Sequence, residues 1–254
     1  MSRLLFILVA LFAGRSFAQQ SLTIAAAADL QPVMTEMAAR FEQQTGVKVK
    51  LSFGSSGNFF AQIQNGAPYD LFFSADVRYP SKLQEAGLTV PGSLSLYAIG
   101  KIVLWVPGNS AIDVNKGLEV LANPTVKKIA IANPAHAPYG RAAEAALKNA
   151  KLWDQVSSKL VVGENIAQTA QFVESGNADV GIIALSLALA PAMKGTGRYF
   201  IIPEDVYPPL RQAAVILKTS GHVDTAERFL KFLREPKTVA LLQEYGFSAP
   251  EQPR

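Results

Sequence analysis

At four places along the chain a cluster of small, hydroxyl-bearing or glycine residues lies between a short apolar run and a helical pattern. Ala26-Ala27-Ala28-Asp29 stands before a helix with Pro32 in its first turn. Phe53-Gly54-Ser55-Ser56-Gly57-Asn58 stands before Phe59 to Ile63. In the second half of the chain, Ala137-Pro138-Tyr139-Gly140 precedes a helical stretch from Arg141 to Ala150, and Gly163-Glu164-Asn165 precedes one from Ile166 to Glu174. The first turn of a helix exposes N–H groups without intrahelical partners, at the positive end of the helix dipole, which suits an anion. Ser55, Ser56 and Tyr139 add hydroxyl donors, and Gly54 and Gly57 let a backbone come close. Each cluster alone reads more readily as a helix cap or as core than as a binding site. Two pairs in the two halves of the chain read as the walls of a cleft that binds an anion with uncharged donors, where discrimination rests on cavity size and on the protons the ligand brings.

The elements that must position these junctions follow α/β grammar. Strand-like runs at Leu22 to Ala28, Val47 to Phe53, Asp70 to Ser74, Leu96 to Val106, Lys128 to Ala132, Leu160 to Val162, Val180 to Ala184, Tyr199 to Ile202 and Ala213 to Leu217 alternate with helical spacing such as Val33, Met37, Phe41. Gly46 and Gly87 are placed to end their helices. Mostly parallel sheets covered on both faces are expected, with ligand sites beyond the carboxyl ends of the strands. Leu96 to Pro107 is longer than an ordinary strand, so it is expected to cross from one lobe to a second, with Gly100 absorbing a bend. The return is expected at Arg211 to Val215, so that helices at Asp224 to Leu233 and Thr238 to Tyr245 pack back on the first lobe.

Residues 1–18 read as a cleavable secretory signal: Arg3, the apolar run Leu4 to Ala13, then small residues at Ser16-Phe17-Ala18. The apolar run is about half of a membrane span. Removing these residues takes away Arg3 and Arg15 and lowers Lys plus Arg from 24 to 22 against 20 acids, a net charge of +2. A nearly neutral chain without clustered Lys and Arg gives no footprint for nucleic acid. There is no cysteine, hence no disulfide frame, thiol chemistry or Cys-based metal site. An enzyme reading finds little to work with. His136 and His222 are the only histidines, and neither a Gly-x-Ser-x-Gly elbow nor a His-Glu-x-x-His pattern occurs. His136 lies near the third junction and reads as a solvated loop histidine.

The run Gly54-Ser55-Ser56-Gly57-Asn58-Phe59-Phe60-Ala61-Gln62-Ile63, followed by Asn65 to Asp76, resembles the periplasmic molybdate-binding components of ATP-driven uptake systems. So do Ala25 to Leu30, Asn133-Pro134 with Ala137 to Gly140, and Gly163 to Ile166. The resemblance covers nearly all of the chain beyond residue 18. It implies a two-lobed periplasmic binding fold of type II, with a signal peptide at 1–18, a first lobe at 19–100 plus 214–254 and a second at 101–213. It also implies a monomer that takes up molybdate or tungstate and delivers it to an ABC permease in the inner membrane, with no catalysis, no cofactor and no bare metal ion. Carried over position by position, the oxyanion contacts fall on Ala28 and Asp29, on Ser56 with Ser55 beside it, on Tyr139, and on the backbone of Ile166.

Two positions depart from the family. The first junction commonly offers a hydroxyl or amide, whereas this chain has Ala28 and Asp29. Asp29 is expected to turn away and cap its own helix, the alternative being that it accepts a hydrogen bond from a protonated oxyanion such as phosphate. At Ala184 some members place a tyrosine, so Tyr139 would be the sole phenol. The rival ligands for the same architecture are phosphate, sulfate, or ferric iron held by Tyr69, Tyr79, Tyr139 and Tyr207, although iron needs converging anionic donors.

Overall fold

The computed structural model describes residues 21–250. The expected signal peptide at 1–18 lies outside the described residues. Among the described residues ten strands form two five-stranded sheets. The first holds β1 (Ser21–Ala27), β2 (Lys48–Gly54), β3 (Leu71–Ser74), β4 (Ser95–Gly100) and, far along the chain, β10 (Leu210–Ile216). The second holds β5 (Ile102–Pro107), β6 (Ile129–Ala132), β7 (Leu160–Gly163), β8 (Val180–Ala184) and β9 (Gly197–Ile201). The strand orders are β2-β1-β3-β10-β4 and β7-β6-β8-β5-β9, so the two sheets have the same layout. In each, four strands run the same way and one is reversed, β10 in the first and β5 in the second. The reversed strand is in each case the one that arrives from the other sheet.

The long apolar segment therefore divides rather than running through. β4 pairs with β10 in one sheet, β5 pairs with β8 and β9 in the other, and Lys101 alone separates them. The return lies earlier than Arg211 to Val215. Those residues sit inside β10, and the chain has already entered the first sheet at Leu210. The connection is 202–209: Ile202 N–H still bonds to the carbonyl of Ile102 in β5, and beyond it Pro203, Pro208 and Pro209 have no N–H to give to a ladder.

Among the described residues nine α-helices flank the sheets in chain order: α1 (Gln31–Thr45), α2 (Ser56–Gln64), α3 (Arg78–Glu85), α4 (Pro138–Asn149), α5 (Trp153–Val156), α6 (Ile166–Glu174), α7 (Leu185–Ala188), α8 (Val223–Phe232) and α9 (Pro236–Glu244). Local sequence explains their ends. Pro32 sits in the first turn of α1, where a missing N–H costs nothing, and Gly46 closes that helix in the left-handed conformation at φ 74°. Val33, Met37 and Phe41 of α1 then face one core together with Leu22, Ile24 and Phe73 of the first sheet and Phe229 and Phe232 of α8. The ring of Phe41 meets that of Phe229 edge-on at 4.9 Å. The two C-terminal helices are thus built into the first half of the molecule, on the sheet that β10 completes. A second core, around Trp105, Ile131, Leu147 and Ile182, fills the other half.

Candidate functional site

The four junctions meet. Ala27 ends β1, Gly54 ends β2 and Ala75 follows β3, all in the first half, while Ala137 and Pro138 open α4 and Asn165 precedes α6 in the second. These residues line one cavity with Ala28, Asp29, Ser55, Ser56, Tyr139 and Ile166. All six residues singled out in the sequence are therefore in one wall or another. The cavity is small, with about 10 Å³ of free volume, on the order of a single water site. It leaves no room for an organic ligand of any length. Asp29 is the single ionisable carboxylate in its lining, and no Lys, Arg or His lines it.

The donors at each junction can be followed individually. Ser55 is the N-cap of α2, its Oγ accepting from Asn58 N–H at 3.4 Å, and Gly57 N–H reaches across the cleft to the carbonyl of His136 at 2.9 Å. These bonds leave Ser56 N–H as the first-turn donor of α2 without an intrahelical partner. Ser56 Oγ accepts from Ala75 N–H at 3.0 Å, so its own proton is free to be donated. At α6 the side chain of Asn165 caps Ala167 and Gln168 N–H at 3.0 Å each, and Ile166 keeps the first-turn N–H. At α4 Pro138 takes the first position, so Tyr139 presents the first available N–H.

Asp29 does not cap its helix. The turn Ala28–Leu30 is a 3-10 turn with Ala27 at its N-cap and no side-chain cap bond. Its carboxylate instead points across the cleft. Asp29 is fully buried, and Oδ2 accepts from the Tyr139 hydroxyl at 3.0 Å and from Gln212 Nε2 at 2.7 Å, while Oδ1 is buried without a hydrogen-bond partner. The phenol proton of Tyr139 is thus directed at Asp29. Gln212 is held in turn, its Oε1 accepting from Tyr97 at 2.7 Å and its Nε2 also reaching the Tyr139 oxygen at 3.1 Å. Burial pushes the Asp29 carboxyl up to about 6, and the hydrogen bonds from Gln212 and Tyr139 offset only part of that. An exposed aspartate loses its proton near 3.8. Relative to the unfolded chain, the buried arrangement is therefore favoured by acid. Its cost rises as pH climbs from about 3.8 to about 6 and is complete above that, on the order of 3 kcal/mol.

Other contacts close the cleft around the cavity. Ser186 of α7 donates to the main-chain carbonyl of Asp29 at 2.8 Å. His136, expected to be solvated, brings Nδ1 to 2.9 Å from Ser55 Oγ and Nε2 to 3.7 Å from Glu164. Arg141 of α4 crosses to Asp76 at 2.8 Å and to the Tyr79 hydroxyl at 3.1 Å, with its guanidinium over the Tyr79 ring. Burial alone would raise the Asp76 carboxyl, but hydrogen bonds from Arg78 and Arg141 outweigh it and hold that carboxyl below its ordinary value. Gln212, Ser186 and the Arg141–Asp76 pair were not singled out in the sequence. The one signal available for Gln212 was a lone amide inside the apolar run Leu210 to Ile216.

The tyrosines considered for iron do not converge. Only Tyr139 lines the cavity; Tyr69 packs edge-on against Phe59, and Tyr207 accepts from Ile102 N–H. Among the described residues no group of three acidic or histidine side chains could hold a metal ion, and no helix is long and apolar enough to cross a membrane. Ala184 is fully buried at the end of β8 and outside the cavity wall.

Two sheets of identical layout, joined by two crossings and closing on a small cavity at their strand ends, define a two-lobed α/β binding protein. The chain belongs to the bacterial extracellular solute-binding protein family, whose description matches residues 22–248. Among its relatives, the molybdate-binding protein ModA of Azotobacter vinelandii is 42% identical over 224 residues, 88% of either chain. That of Rhodobacter capsulatus is 38% identical over 223 residues, covering 88% of this chain and 86% of the relative. The solved structure of the Azotobacter vinelandii periplasmic molybdate-binding protein superposes with a TM-score of 0.86 at 38% identity, covering 91% of this chain and all of that one.

Proposed function

We propose that this protein is the periplasmic, signal-bearing binding component of an ABC importer for molybdate or tungstate, and that it holds the oxyanion in the cavity between the two sheets. The observation that carries the proposal is the cavity itself: small, walled by first-turn residues from both halves, with no cationic side chain in its lining. Donors of this kind stabilise an anion without a counter-cation. The names of the relatives at 42% and 38% identity support the choice of molybdate.

In this reading the ligand contacts are the N–H groups of Ala28, Asp29, Ser56, Tyr139 and Ile166, with the Ser56 hydroxyl and, beside it, Ser55. Each sheet with its helices forms one lobe, the crossings being Lys101 and 202–209. The open protein samples the ion, closure brings α4 and α6 onto it, and the closed form is the one a permease recognises. No acid, base or nucleophile is required, and the protein acts as a monomer without cofactor.

Titration calorimetry of the ion-free protein with molybdate, tungstate, sulfate and phosphate tests the proposal. Saturation at one ion per chain by molybdate and tungstate, with sulfate and phosphate weaker, is expected. Tighter binding of sulfate or phosphate, or no binding of any of the four, would overturn it.

A further inference from the structure

The least expected group in the cavity wall is the carboxyl of Asp29. A buried carboxylate beside a bound dianion, with no cation to offset either, is strongly unfavourable. Among the described residues Asp29 makes no salt bridge. The groups packed against it are uncharged: Tyr139 from α4, Gln212 from β10, Ser186 from α7 on its main chain, and Tyr97 from β4 behind Gln212. The titratable and charged groups nearby, His136 beside Glu164 and Arg141 with Asp76, are engaged with each other elsewhere on the cleft.

The two oxygens of Asp29 are not equivalent. Oδ2 accepts from two donors, the Tyr139 hydroxyl and Gln212 Nε2, as the carbonyl oxygen of a neutral acid would. Gln212 Oε1 takes the Tyr97 proton at 2.7 Å, which leaves Nε2 as the end that faces Asp29. Oδ1 is buried, without a partner, on a residue that lines the cavity. A proton on Oδ1 turns this buried, unpartnered acceptor into a donor on a residue of the cavity wall. We propose that Asp29 is protonated in the occupied site and donates through Oδ1 to the oxyanion, so that each ion is captured together with one proton from solvent. This rests on the oxyanion-binding reading above and adds a specificity-determining residue to it. The burial that holds the Asp29 carboxyl at about 6 before any ion is present acts in the same direction, and a bound dianion raises it further.

Uptake of one proton makes the molybdate dissociation constant rise by about tenfold for each unit of pH, between the carboxyl's midpoints in the ion-free and ion-bound protein. Asp29→Asn keeps the arrangement without the titration: its amide oxygen replaces Oδ2 as acceptor, and its amide nitrogen replaces Oδ1 as a permanent donor. The experiment is calorimetry with molybdate from pH 5.5 to 7.5, in buffers of different ionisation enthalpy. We expect proton uptake per ion by the native protein to rise across this range to close to one at pH 7.5, and none by D29N, whose affinity stays flat with pH. Molybdate binding by the native protein without proton uptake overturns the inference while leaving the oxyanion reading in place. A pH slope that survives in D29N assigns the proton to another group, such as His136, and also overturns it. Absence of molybdate binding by the native protein at every pH removes the parent reading and this one with it.

Discussion

Gly57→Ala should weaken molybdate binding by about 100-fold, or about 2.7 kcal/mol, while the ion-free protein melts no lower than before. A Cβ at position 57 would stand 2.6 Å from the carbonyl oxygen of His136, 2.9 Å from its Cα and 2.8 Å from the Tyr79 hydroxyl. Tyr79 could swing aside. His136 cannot, since the atoms in the way are main chain and belong to the other half of the molecule. The substitution therefore acts only when the halves come together, and it removes the approach that lets Gly57 N–H reach His136 at 2.9 Å. Within α2 alanine is the better helix former by roughly 0.5–1 kcal/mol, so the fold of the first half gains if anything. Better or unchanged melting with much weaker binding is the signature of blocked closure. Unchanged affinity would mean that the ion does not require the halves to meet at this point.

Tyr139→Phe is expected to weaken binding by about 1–2 kcal/mol, roughly 5- to 30-fold. The ring fills the same buried place, so packing is retained, but Asp29 Oδ2 loses its 3.0 Å donor and Gln212 Nε2 loses an acceptor at 3.1 Å. Tyr139 is on α4 in the second half, while Asp29 and Gln212 belong to the first, so the hydroxyl joins the halves and stabilises the closed form in particular. Calorimetry checks the affinity and melting of the ion-free protein checks the fold. An affinity equal to that of the native protein would remove the phenol from the site.

Much of this site could be read from sequence because its parts are local. A strand end, a small residue and a helix start form one continuous stretch of chain, and each of Ala28, Ser56, Tyr139 and Ile166 owes its role to a place in such a stretch. The contacts that join the stretches were not legible. Gln212 meets Asp29 across 183 residues of chain, Ser186 meets it across 157, and Arg141 meets Asp76 across 65. No periodicity or spacing connects residues so far apart. Asp29 was misread for a related reason. An aspartate ahead of a helix is ordinarily a cap, but here Ala27 holds the capping position of a 3-10 turn, and burial rather than local chain geometry decides where the carboxyl points. The segment from Leu96 to Pro107 looked continuous because its apolar run is hardly broken. Lys101, one residue, is enough to carry the chain from one sheet to the other. The return at 202–209 carried a signal in its three prolines, and the apolar strand that follows it drew attention away.

The most direct test of an ion held by uncharged first-turn donors from both halves is to locate it. Crystals grown with tungstate should show a single anomalous tungsten peak in the cavity between Ser56 and Tyr139, with oxygens about 3 Å from the N–H groups of Ser56, Tyr139 and Ile166. A peak on an outer face, or one coordinated by lysine or arginine side chains with that cavity empty, would contradict the account.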